Sequence, residues 1–114
     1  MTEEKNVIIL LRQPPIGTLY PVEGLRMSVA LSGDMEPKTV VVGDGVYAFL
    51  KDVNRTMYQP HIDFLKNLGL EIILDKKDLT ERCLSSGDLI DGLTIKEHGE
   101  ILELFTKVSA LIPF

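Results

Sequence analysis

One thiol, two imidazoles and a scatter of carboxylates are the groups in this chain that could do covalent or acid–base chemistry. Cys83 is the only cysteine. A thiol carries sulfane sulfur or acts as a nucleophile when it is exposed and its anion is supported by a helix amino end or a nearby cation. Arg82 and Lys77 are the cations close to it in sequence. Against that use, Cys83 follows Leu79 by four residues, and free cysteine is among the most buried residue types, so a structural role is expected. His61 shares helical spacing with Phe64, Leu65 and Leu68 and reads as a core or interface residue. His98 lies beside Glu97 and Glu100 and is expected to face solvent. Two histidines this far apart and one cysteine have no metal-ligand spacing, so neither a metal nor another cofactor is expected. Gly43-Asp44-Gly45 lacks the third glycine of a dinucleotide fingerprint and the Lys-Ser/Thr of a phosphate loop. Asp44 therefore reads as a turn and helix-cap residue before a ligand contact. Glu23 reads as a first-turn helix acid rather than a general base, and Asp75-Lys76-Lys77-Asp78 as a solvated loop.

The elements that must hold these groups are short apolar runs broken by turn signals. Residues 39–42 (TVVV) form a β-branched run of the kind that is buried on both faces of a parallel sheet. Gly43-Asp44-Gly45 turns the chain, and Val46, Phe49 and Leu50 follow at helical spacing. Strand, tight turn and helix make half of a βαβ unit, and in such sheets sites form beyond the carboxyl ends of the strands. Residues 6–11 (NVIILL) read as the first, central strand, followed by a loop at residues 14–18 that includes Gly17 and Thr18. Its two prolines fix φ and remove donors. A largely covered helix is expected at 23–31, with Leu25, Ser28 and Val29 on one face and Met27, Ala30 and Leu31 on another. Pro60 suits a first helical turn, Gly69 a carboxyl-terminal cap, and residues 71–74 a third strand. Further along come a short helix within 79–84, a fourth strand or bent connection at 89–93, a helix at 96–107 and a last strand within 109–114. Residues 1–5 read as a loose tail. The outcome is a small three-layer α/β domain with a mainly parallel sheet and helices on both faces.

Composition narrows the function classes. A chain of 114 residues has room for one domain and one core. Apolar residues make up 45% and charged residues 25%, ordinary values for a globular protein. A net charge of −5 and a pI near 4.9 argue against direct nucleic-acid binding. No apolar run approaches the roughly 20 residues that span a bilayer. The acidic start carries no signal-peptide pattern, and a lone cysteine suits a reducing compartment, so a cytoplasmic location is expected.

Several local patterns together resemble the DsrE/DsrF-like family, most closely its TusC/DsrF branch. They are Pro15-Ile16-Gly17-Thr18 after the first strand, Glu23-Gly24-Leu25 opening the first helix, Gly43-Asp44-Gly45-Val46 after the second strand, Leu68-Gly69-Leu70 before the third, and the terminal phenylalanine after an apolar strand. The resemblance covers nearly the whole chain. It implies a parallel five-stranded sheet and an obligate oligomer, acting as a subunit of a sulfur-relay complex that passes a persulfide onward in tRNA thiolation or sulfur oxidation. Catalytic members of the family carry sulfur on a cysteine after strand three. The matching stretch here, residues 75–82 (DKKDLTER), has none, and Asp75 lies near the expected position. The TusC/DsrF branch typically lacks that cysteine as well. The resemblance therefore implies one domain over 1–114 that acts as a non-catalytic subunit. Its partners would be homologous subunits or its own copies, with sulfur donor or acceptor proteins, and neither nucleic acid nor membrane. In that setting Lys76 and Lys77 would meet an acidic partner while Asp75 and Asp78 cap backbone, and the turns at Gly17, Thr18, Gly43, Asp44 and Gly45 would form a ligand or interface edge. The alternatives are a persulfide carrier or reductase using Cys83, or a homo-oligomeric protein binding a small ligand.

Overall fold

The structure, a computed structural model, describes residues 6–114; the expectation of a loose tail over residues 1–5 falls outside it. Five parallel strands, β1 (Val7–Leu11), β2 (Lys38–Val41), β3 (Ile72–Asp75), β4 (Thr94–Lys96) and β5 (Ala110–Pro113), lie in the order β4-β3-β2-β1-β5. The central strand is thus β2. β1 is interior but off-centre, because β5 adds only one strand beyond it. Four α-helices connect them: α1 (Tyr20–Leu31), α2 (Gln59–Asn67), α3 (Lys76–Glu81) and α4 (His98–Lys107).

Strand alternation sorts the side chains into two cores. Val7, Ile9, Leu11, Val41, Ile72 and Leu74 face one way and pack with Leu25 of α1 and Ile62 and Leu65 of α2. Ile8, Val40 and Ile73 face the other way, where α4 alone covers them through Ile101, Leu104 and Phe105. The sheet is therefore the middle of three layers. On the α1 side the polar pair Ser28–Thr39 is buried but mutually hydrogen-bonded at 2.9 Å, which removes the cost of burying either hydroxyl. Among the described residues no helix is long and apolar enough to cross a membrane.

Several elements depart from the sequence reading. Residues Gly43–Phe49 form a 3-10 helix rather than an α-helix. Gly45 is required there: a Cβ would lie 2.7 Å from the Leu11 carbonyl oxygen. α1 starts three residues early, at Tyr20, with Pro21 in its first turn. Its second apolar face is open: Met27 and Ala30 are exposed in the single chain. α2 does hold Pro60 in its first turn, but it buries Ile62 and Leu65, leaving His61 partly exposed and Phe64 and Leu68 about half exposed. Its packing partner, α1, selects a face rotated from the one that the spacing suggested. Of the two readings of 89–93 the structure shows the connection, and the fourth strand comes after it, at Thr94–Lys96.

Candidate functional site

The carboxyl ends of β2, β3 and β4 lie side by side, and the polar residues that follow them are wired together. Asp75 is the last residue of β3 and the N-cap of α3. Along β3 it falls two residues after Ile73, so it points to the α4 face. Its carboxylate is wholly buried. A buried charge persists only when its oxygens are paired, and both are. Oδ1 accepts the Lys77 backbone N–H at 2.9 Å, and Oδ2 lies 2.6 Å from His98 Nδ1. His98 comes within reach because β4 pairs in parallel with β3, setting Lys96 opposite Asp75, and α4 opens two residues later. The imidazole side chain stays 43% exposed. With Asp75 ionised its Oδ2 accepts from His98 Nδ1–H, and in the neutral ring of that tautomer Nε2 keeps its lone pair.

Around this pair the loops are tied to one another. Lys76 Nζ meets Glu97 Oε1 at 3.1 Å. Asp78 Oδ2 accepts the Gly43 N–H at 2.9 Å, joining α3 to the turn after β2. Arg82 donates Nε and Nη2 to Asp44 Oδ1, at 3.2 and 3.0 Å, and Nη1 to the Asp78 carbonyl oxygen at 3.0 Å. Burial lowers the Arg82 pKa, but the hydrogen bond to Asp44 and the charges of Asp44 and Asp78 offset it, so the guanidinium is held above its ordinary value.

These contacts correct four expectations. Asp75-Lys76-Lys77-Asp78 is not a solvated loop: it is a buried N-cap followed by the first turn of a helix. Asp44 does not cap its helix, because Arg82 takes its carboxylate. His98 does not simply face solvent. Cys83 is exposed rather than buried. It holds φ +57° as the residue just past α3, where the Cys83 N–H bonds to Thr80 O and the Leu84 N–H to Leu79 O, a Schellman closure. In that closure Leu84, not Cys83, folds back on the core. Gly17 and Thr18 lie in the loop after β1 outside this network, with Thr18 Oγ1 donating to its own loop at Pro14 O. Among the described residues no cluster of histidine, cysteine and acids could hold a metal ion. A cavity of about 140 Å³ between Lys38, Leu104 and Lys107 opens at the opposite, amino end of β1 and β2, far from this chemistry. His98 is the functional candidate that sequence reasoning missed. No local signal in the sequence marked it, because its approach to Asp75 depends on β4 pairing beside β3.

No family model and no curated protein sequence matches the chain. Solved structures do. The ychN protein from E. coli superposes with a TM-score of 0.82 at 22% identity, over 98% of this chain and 100% of that one. MTH1491 from Methanobacterium thermoautotrophicum, a protein of unknown function, superposes with a TM-score of 0.72 at 18% identity, over the same 98% of this chain and 100% of its own. At these identities the likeness concerns architecture: the chain has a DsrE-like fold.

Proposed function

We propose that this chain is a non-catalytic subunit of a cytosolic sulfur-relay complex of the DsrE/DsrF type, nearest the TusC/DsrF branch. It supports persulfide transfer, in tRNA thiolation or sulfur oxidation, without carrying the sulfur itself. The observation that carries this reading is the end of β3. Near the position where catalytic members of that family hold a cysteine, this chain holds Asp75, buried and paired on both oxygens. A carboxylate cannot form a persulfide, which requires a thiolate nucleophile. Partners are homologous subunits or further copies of this chain, with donor and acceptor proteins approaching the strand ends. Met57 before α2, Phe64 on it and Leu68 just past it, with Ile16 and Leu19 before α1 and Tyr20 at its start, offer apolar surface for assembly.

One observation favours a second reading, in which Cys83 is the carrier: the thiol is exposed and follows Arg82 directly. Two measurements separate the readings. Native mass spectrometry of material purified from its own host gives partners and stoichiometry, and a lone 12.7 kDa chain would contradict the subunit reading. Incubation with a cysteine desulfurase and labelled cysteine then tests the thiol. The subunit reading predicts no stoichiometric gain of sulfur on the Cys83 peptide, whereas label that gathers there and moves to an acceptor makes the chain a carrier.

A further inference from the structure

The Asp75–His98 pair has the parts of an oriented acid–base group. The carboxylate is fully buried, and its other oxygen is anchored on the Lys77 N–H, so it cannot reach a substrate itself. Through its 2.6 Å contact it can only fix the ring and the tautomer of His98. The ring is partly exposed, and the nitrogen opposite the bonded one is free to accept a proton. The same division of labour, a buried carboxylate that orients an imidazole acting on a nucleophile, underlies hydrolytic triads. The dyad stands at the carboxyl ends of β3 and β4, the edge where sheets of this type do their chemistry. Lys76 and Glu97 flank it and are paired with each other. The chain's own thiol sits past the far end of α3, a six-residue helix about 9 Å long.

We infer that His98, positioned by Asp75, is the proton-transferring residue for sulfur exchange between two thiol groups brought to this edge by partner molecules. The inference rests on the relay reading and extends it: the chain carries no sulfur but supplies the base. In the exchange, Nε2 of His98 takes the proton of the acceptor thiol. The resulting thiolate attacks the outer sulfur of the donor persulfide, forming one S–S bond as the donor's S–S bond breaks. The departing donor thiolate then takes the proton back from His98. One persulfide and one thiol enter and one of each leaves, so no oxidant or reductant is needed.

The test uses small molecules in place of the partners: glutathione persulfide as donor, N-acetylcysteine as acceptor, and the intact chain as catalyst. The wild type is expected to accelerate the exchange. His98→Gln is expected to lose about tenfold or more of that acceleration. Asp75→Asn is expected to lose it too and to change the pH–rate profile, because an amide no longer demands the Nδ1–H tautomer. His61→Gln and Cys83→Ser should stay within about twofold of wild type. If His98→Gln does not fold, diethyl pyrocarbonate applied to the His61→Gln protein replaces it: acylation of His98 should abolish the acceleration and hydroxylamine should restore it. No acceleration by the folded wild type, or acceleration that survives loss or acylation of His98, overturns the inference. The relay reading fails separately. Partners seen by native mass spectrometry with a rate indifferent to His98 would sink the dyad alone, and a His98-dependent rate in a chain without partners would sink the relay alone.

Discussion

Asp44 just after β2 and Asp75 at the end of β3 lie at the same edge of the sheet, and each meets a cationic or basic partner from further along the chain. Asp44 is 55% exposed, and it shares one oxygen between two nitrogens of Arg82, whose third nitrogen is spent on Asp78. Each of the three guanidinium nitrogens donates one hydrogen bond inside the fold, and solvent screens the pair. Asp75 is fully buried, and its partner has one nitrogen committed and one spare. The first pair is a staple between α3 and the turn after β2. The second spends a buried charge to hold an exposed ring in one orientation. Burial, rather than the number of contacts, separates a tether from a site.

That contrast can be broken by truncation. Asp75→Ala leaves the Lys77 N–H and His98 Nδ1 without their acceptor and opens a small void, so it should cost about 2–4 kcal/mol. Urea denaturation measures the loss, and a value below about 1 kcal/mol would make the two pairs equivalent. Tyr58 tests burial without charge. Its ring is almost fully buried, and its hydroxyl donates to Ala48 O at 2.7 Å. Burial raises its pKa above the ordinary 10.0, although the nearby Arg55 charge pulls the other way. The folded form therefore holds its proton where the unfolded form loses it. The associated stability is complete below pH 10.0 and is lost as pH rises through the raised folded value. Tyr58→Phe should cost about 1 kcal/mol at neutral pH and flatten that alkaline decline in thermal melts. Asp44→Ala should cost no more than about 1 kcal/mol, and the loss should shrink in high salt. The smallest effect belongs to Cys83. Its αL backbone at φ +57° strains a side-chain-bearing residue, so Cys83→Gly should raise stability by up to about 1 kcal/mol.

The strands that sequence located were those buried on both faces. Residues 7–11 and 39–41 read as unbroken apolar or β-branched runs because α-helices cover both sides of them. β4 escaped notice because an edge strand of three half-covered residues, Thr94, Ile95 and Lys96, carries no such run. The segment after β2 was mistaken for an α-helix because Val46 and Phe49, three apart, satisfy a 3-10 turn as well as an α turn. In α2 two apolar frames competed, and only the presence of α1 decides between them. The site was legible in part. Asp75 could be placed after β3, but its partner lies 23 residues on, and no local pattern joins them. Their meeting depends on β4 taking the edge beside β3, which is a property of sheet order. Cys83 was misread because position four after Leu79 is core only while the helix continues, and this helix ends at Glu81.

The central claim is that a buried Asp75 dictates the state of His98, and side-chain nitrogen NMR observes that state directly. In a long-range ¹⁵N–¹H correlation of the neutral rings, His98 should have its proton on Nδ1 and a bare Nε2. His61, free of any such carboxylate contact among the described residues, should favour the ordinary Nε2–H form or a mixture. Asp75→Asn should abolish the difference. A wild-type His98 that carries its proton on Nε2, or whose spectrum is unchanged by Asp75→Asn, would contradict the account.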